Sequence, residues 1–275
     1  MKSLFNFIIQ IPAIIFFLSQ TSFAQSASFK GGSGKYTKLV WADEFNYTGI
    51  PNRYKWNYEN GYIRNKELQF YTIARKENAF VHNGYLTIAT KNDSLRIANK
   101  VYPITSASLI TKNKKEWTYG RFEVRAKIPS SLGTWPAIWM LGSNIETAGW
   151  PACGEIDILE HVGYIPDTVH FNVHTEKYNH VKKTNKGVKI YYPSPYKDFH
   201  VYAIEWFKDH IDWFMDDAKV FTYKNDGEGA SAWPFDKPQY LILNLAFGGS
   251  WGGSKGIDIS LLPQELLIDY VRVYQ

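Results

Sequence analysis

Hydrophobic and polar residues alternate with a period of two along most of the chain. Over 120–128, Phe122, Val124, Ala126 and Ile128 interleave with Arg121, Glu123, Arg125 and Lys127. Successive side chains of a strand point to opposite faces, so this pattern predicts a half-buried antiparallel strand. Similar short runs predict strands over 85–90, 106–111, 135–141, 168–174, 201–206, 211–215, 240–247 and 268–274. Asn83-Gly84, Asp216-Asp217, Asn225-Asp226-Gly227 and Gly248-Gly249 stand between such runs, where hairpins would close. No segment sustains a 3.6-residue stripe and no internal repeat is visible. The expectation is one all-β sandwich domain over 36–275.

The sharpest local signal is Gly154-Glu155-Ile156-Asp157-Ile158-Leu159-Glu160-His161, with acids at 155, 157 and 160 among large aliphatics. On a helix, at about 100° per residue, the three acids would scatter around the axis. On a strand Glu155 and Asp157 share a face, but Glu160 is five positions on and would point the other way. One extra residue accommodated at Ile158-Leu159, a β-bulge, resets the parity and turns all three carboxylates to one side with the aliphatics behind. The bland alternative is a solvated edge strand whose acids deter aggregation; Ile156, Ile158, Leu159 and the flanking Trp150 and Val162 suit a central strand better. Two carboxylates facing one groove are what glycoside hydrolysis requires. Mutual repulsion within such a cluster raises at least one pKa, and the pattern does not name which. Metal binding is the rival for any acid cluster, but the adjacent sequence offers aromatic platforms in place of further oxygen ligands.

Trp135 and Trp139 lie four apart on a predicted strand and share a face, about 13 Å apart at the usual rise. That spacing suits successive sugar rings, although core packing is the ordinary fate of a Trp pair and can hold for one of them. Trp251, inside Gly248-Gly249-Ser250-Trp251-Gly252-Gly253, has little bulk around it in sequence and is read as a sugar contact. His170 and His174 share a face too, but at about 13 Å they are too far apart to hold one zinc. His174 is read as a hydrogen-bonding cleft residue and His170 as structural. Cys153 is read as a small buried thiol, and 177–189, with five lysines, as a solvated loop near one end of the cleft.

The composition of the 275 residues is globular, 45% hydrophobic and 21% charged, with an unusual aromatic share of 17%. One cysteine excludes an intramolecular disulfide and multi-cysteine metal sites. The net charge of +5 is spread along the chain without a sustained basic block, so nucleic acid is not an expected partner. Residues 1–24 read as a signal peptide: Lys2, an apolar stretch broken by Asn6, Gln10 and Pro12, then small residues before a cut after Ala24. Residues 25–35, with Gly31-Gly32-Ser33-Gly34, read as a flexible leader. The expected product is periplasmic or secreted, monomeric and free of the membrane after cleavage.

Glu155-Ile156-Asp157-Ile158-Leu159-Glu160, preceded by 135–142 and 150–154, resembles glycoside hydrolase family 16 in its laminarinase-like branch. The likeness extends to Trp41-Ala42-Asp43-Glu44-Phe45, 65–72, 119–125, 243–249 and 269–275. It implies a β-jelly-roll with a concave cleft and retaining hydrolysis of internal bonds in β-1,3 or mixed β-1,3/1,4 glucans, with no catalytic cofactor. It further implies Glu155 as nucleophile, Glu160 as general acid/base, Asp157 as helper, and Asn65, Trp135, Trp139, His174 and Trp251 as substrate contacts. A structural calcium held by Glu44, the Gly84 carbonyl and Asp269 is also implied. Ser108 stands where many laminarinases carry an arginine, which loosens the expected sugar preference. A galactan hydrolase of the same fold and a non-catalytic glucan-binding module are the alternatives.

Overall fold

Seventeen strands carry the described residues, 32–275 of the computed structural model. In chain order they are β1 (Leu39–Asp43), β2 (Asn57–Tyr58), β3 (Phe70–Tyr71), β4 (Ala79–His82), β5 (Tyr85–Ile97), β6 (Lys100–Ser106), β7 (Ser108–Ile110), β8 (Gly120–Lys127) and β9 (Thr134–Gly142). They continue as β10 (Glu155–Glu160), β11 (Thr168–His174), β12 (Lys186–Tyr191), β13 (His200–Trp206), β14 (His210–Met215), β15 (Ala218–Lys224), β16 (Gln239–Phe247) and β17 (Gln264–Tyr274). The expected signal peptide and the first part of the expected leader lie outside the described residues. Within the rest of that leader, the Ser33 backbone N–H donates to both carboxylate oxygens of Glu205, at 3.1 and 2.9 Å.

Two sheets form a sandwich. A ten-stranded sheet runs β15-β14-β13-β8-β17-β5-β6-β3, with β1 added on β17 and β4 on β5. A seven-stranded sheet runs β12-β11-β10-β9-β16-β7-β2. Period-two alternation explains the core between them. Phe122 and Val124 of β8, Tyr202 and Ile204 of β13 and Trp213 of β14 meet Ile138 and Met140 of β9, Ile156 and Ile158 of β10, Phe171 of β11 and Leu243 of β16 in one buried cluster. Each such side chain contributes about 1.5–3 kcal/mol on burial, which secures the strand that carries the acids. The other face of the seven-stranded sheet has its own small apolar cluster of Ala137, Trp139, Leu141, Cys153, Tyr240 and Ile242. Cys153 is a buried free thiol, as expected.

Asn83 and Gly84 close the β4–β5 hairpin with φ of 52° and 81°, the paired positive values of a type I′ turn. Asp216-Asp217 closes β14–β15. The other two turn signals end strands without closing hairpins: Asn225-Asp226-Gly227 follows β15, and Gly248-Gly249 opens a loop after β16. The lysine-rich segment is corrected in part. Its last four residues, from Lys186, belong to β12, an edge strand paired with β11, and lysines on an exposed edge discourage pairing with other chains. No helix among the described residues is long and apolar enough to cross a membrane.

Candidate active site

The acid-bearing strand β10 lies between β9 and β11. Asp157 pairs with Trp139 of β9, but Leu159 pairs with the next residue, Ile138, so β10 holds one residue more than its partner there. Against β11 the register shifts between Asp157 and Glu160 as well. This is the bulge that the parity of the acids required, and Ile156, Ile158 and Leu159 are all fully buried behind it. The carbonyl of Asp157, at the register break, accepts a 2.8 Å hydrogen bond from the Trp213 indole of the opposite sheet.

Glu155, Asp157 and Glu160 converge on one cleft of about 790 Å³. Each outer acid is gripped by an indole. Trp135 Nε1 donates to Glu160 Oε1 at 3.1 Å and Trp150 Nε1 donates to Glu155 Oε2 at 2.7 Å. The Asn172 amide donates to Glu160 Oε2 at 3.4 Å. Burial pushes Glu155 up to about 7, against the Trp150 donor, the Arg64 charge and a hydrogen bond from Asp157, which all pull it down. Burial, then repulsion from Glu155, pushes Glu160 up to about 8. Asp157 is raised well above the carboxylate range by burial and by both neighbouring glutamates. Repulsion was the expected cause; desolvation is the larger one.

His174 Nε2 lies 3.4 Å from Asp157 Oδ2 and 3.7 Å from Glu155 Oε1. Burial lowers its pKa to about 4, so the imidazole is neutral at neutral pH. Donor atoms of Glu155, Asp157 and His174 come within 4.8 Å of one another.

The expected sugar contacts Asn65, Trp135, Trp139, His174 and Trp251 all line the cleft, but not all in the expected way. Trp139 is the packed member of its pair: it is 8% exposed, its N–H donates to Asn244 Oδ1 at 2.8 Å, and the Arg64 guanidinium covers its ring at 4.9 Å. Trp135 and Trp251 are half-buried and meet edge to face at 5.3 Å. His170, expected to be structural, also lines the cleft, edge to face with Trp251 at 4.9 Å. Arg64, Glu67, Trp150, Asn172 and Asn244 belong to the cleft and were not singled out. Trp150 stood beside the acid motif in sequence; Arg64, in a loop, carried no signal. Ser108 donates to Glu59 Oε2 at 2.6 Å, and Glu59 in turn pairs with Arg64, so the loop supplies an arginine to the wall where strand β7 has none.

Glu44 directly follows β1, Gly84 directly precedes β5, and Asp269 stands on β17 between the stretch paired with β5 and the stretch paired with β1. Carboxylates and a carbonyl are the right donors for calcium. Here both Glu44 oxygens accept from Arg272, at 2.8 and 2.7 Å, and Asp269 accepts from Arg125 at 2.6 Å. A cation would have to exchange with two guanidinium groups.

Residues 66–272 match the model of glycosyl hydrolases family 16. A beta-glucanase of Rhodothermus marinus is 48% identical over 257 residues, covering 90% of this chain and 88% of that protein. The laminarinase of the same organism superposes with a TM-score of 0.82 at 49% identity, covering 86% and 97% of the two chains. A variant of SCLam, a non-specific endo-beta-1,3(4)-glucanase co-crystallised with 1,3-beta-D-cellotriosyl-glucose, superposes with a TM-score of 0.83 at 45% identity, covering 88% and 95%. The all-β jelly-roll sandwich expected from the sequence is the fold these structures share with it. The chain belongs to glycoside hydrolase family 16.

Proposed function

We propose that this protein is a retaining endo-β-glucanase that cuts internal β-1,3 and mixed β-1,3/1,4 linkages. The observation that carries this reading is the bulged strand that turns Glu155, Asp157 and Glu160 to one cleft, where burial raises both glutamates well above the ordinary carboxylate range. In the first step the Glu155 carboxylate attacks the anomeric carbon while the Glu160 carboxyl gives its proton to the departing glycosidic oxygen. A covalent glycosyl-enzyme and a shortened glucan result. In the second step the Glu160 carboxylate takes a proton from water, which attacks the same carbon and releases Glu155.

The neighbours fit these roles. Asp157, whose carboxyl is pushed up by burial and by the glutamates, offers a hydrogen bond to Glu155 that favours its carboxylate form. The Trp150 N–H does the same from solvent's side. Glu160 has the higher pKa, as the proton donor needs. The glucan ligand held by a relative in its crystal supports the choice of sugar.

Export through residues 1–24, a monomeric state, and a calcium ion on Glu44, Gly84 and Asp269 that stabilises without entering the chemistry complete the proposal. A reducing-end assay on laminarin, barley mixed-linkage glucan, agarose and carrageenan, with Glu160→Gln alongside, tests the central part. Activity on the glucans, lost in the variant, is expected. Turnover of a galactan alone would move the substrate class, and silence on all four would leave a binding module.

A further inference from the structure

Arg64 is the one arginine of the cleft wall among the described residues, and nothing in the chemistry above uses it for binding. Its guanidinium pairs with Glu59, which is itself oriented by the Ser108 hydroxyl at 2.6 Å. Its flat face lies over the Trp139 ring at 4.9 Å. Those two contacts restrain a group with five N–H donors, of which Nη1 is buried and has no hydrogen-bond partner among the described residues, so any sugar contact is made by the part of the guanidinium that lines the cleft. The side chain is 22% exposed, toward the cleft.

The position is informative. Trp139 pairs with Asp157 across the β9–β10 ladder, so the guanidinium stands beside the acids, near enough to Glu155 for its charge to be felt there. It also covers the indole that would otherwise offer a sugar a stacking face. What this wall presents to a polysaccharide is a rigid polar fork in place of an apolar platform.

We propose that Arg64 is a specificity-determining substrate contact, donating charge-assisted hydrogen bonds to the hydroxyls of the glucosyl unit that lies on the β9–β16–β7 side of the scissile bond. Glu59 and Ser108 are its positioning residues. Glu59 offsets the charge, so the fork selects oriented hydroxyls on a neutral sugar and gives no advantage to anionic ones. The proposal rests on the glucanase reading.

Binding of a β-1,3-linked glucose tetramer to the Glu155→Gln protein, measured by calorimetry, tests it. Adding Arg64→Met, which removes the donors and leaves Glu59 without its ion-pair partner, is expected to weaken binding about tenfold, equal to about 1.4 kcal/mol, with a lowered melting temperature but a cooperative transition. Equal affinities would overturn it. Should Arg64→Met fail to melt cooperatively, Arg64→Lys decides: it keeps the charge and loses the fork, so about threefold weaker binding is expected, and undiminished binding would overturn the proposal. A tetramer that does not bind Glu155→Gln, with no laminarin hydrolysis by the unaltered protein, would instead count against the glucanase reading.

Discussion

The indole N–H of Trp213, on β14 of the ten-stranded sheet, donates at 2.8 Å to the backbone carbonyl of Asp157, on β10 of the other sheet. Both partners are buried, and the bond spans the core at the point where the bulge interrupts the ladder. It ties the geometry of the acids to the second sheet. Trp213→Phe keeps an aromatic ring, removes the donor and leaves a small cavity. The expected result is a loss of about 1–3 kcal/mol of stability from the orphaned carbonyl, and a fall in kcat larger than any change in KM, because the acids are displaced more than the sugar contacts. Chemical denaturation and steady-state kinetics on laminarin read the two effects; unchanged kcat would show that the bulge holds itself.

Ionisation of the two glutamates sets the pH window. The first step needs Glu155 ionised and Glu160 protonated, so kcat/KM is expected to rise through about 7 and fall above about 8, the two limbs belonging to the coupled pair. The Trp150 N–H favours the Glu155 carboxylate. Trp150→Phe removes it, raises that pKa, and is expected to move the acid limb to higher pH, with a smaller shift of the alkaline limb because the two glutamates titrate as a pair. A pH–rate profile of the variant that matches the parent would contradict this.

The same burial makes an acid a burden to the fold at high pH. Glu160 has a folded pKa of about 8 against an ordinary value of 4.5. Its contribution is fully favourable below about 4.5 and is lost as pH rises through about 8. Glu160→Gln, which has no charge to desolvate, is expected to be more stable than the parent at pH 9, on the order of a few kcal/mol, and similar to it at pH 4.5. Thermal melts at the two values check the sign.

Two cleft loops are held together through Gly249. Its φ is +75°, and a Cβ there would lie 2.9 Å from the Asn65 carbonyl oxygen, which also accepts from the Ser250 N–H at 2.8 Å. Gly249→Ala forces Asn65 and Trp251 apart and adds the left-handed backbone cost of about 1–2 kcal/mol. A rise in KM of several-fold is expected, with kcat nearly kept, since the acids sit on a different strand.

Much of the site was legible because strand parity is a hard constraint. Acids at 155, 157 and 160 cannot face one side without an extra residue between 157 and 160, and the ladder has it. The strand over 168–174 was read to the residue because both of its faces alternate. Edge strands were harder. β12 and β15 carry lysines and exposed positions where a buried strand would carry aliphatics, so period and hydrophobicity gave no signal there. Arg64 was invisible for another reason: its role depends on Glu59, Ser108 and Trp139, which the fold alone brings together. The covering of Trp139 by that arginine likewise changed an expected sugar platform into a wall residue.

The division of labour between Glu155 and Glu160 can be tested directly by trapping. A 2-deoxy-2-fluoro β-1,3-linked glucobioside with a good leaving group slows the second step more than the first, so the glycosyl-enzyme accumulates. Intact-mass and peptide mass spectrometry are expected to show one added glycosyl group, carried by Glu155. A label on Glu160, or turnover with inverted anomeric configuration and no label, would contradict the roles assigned to the two acids.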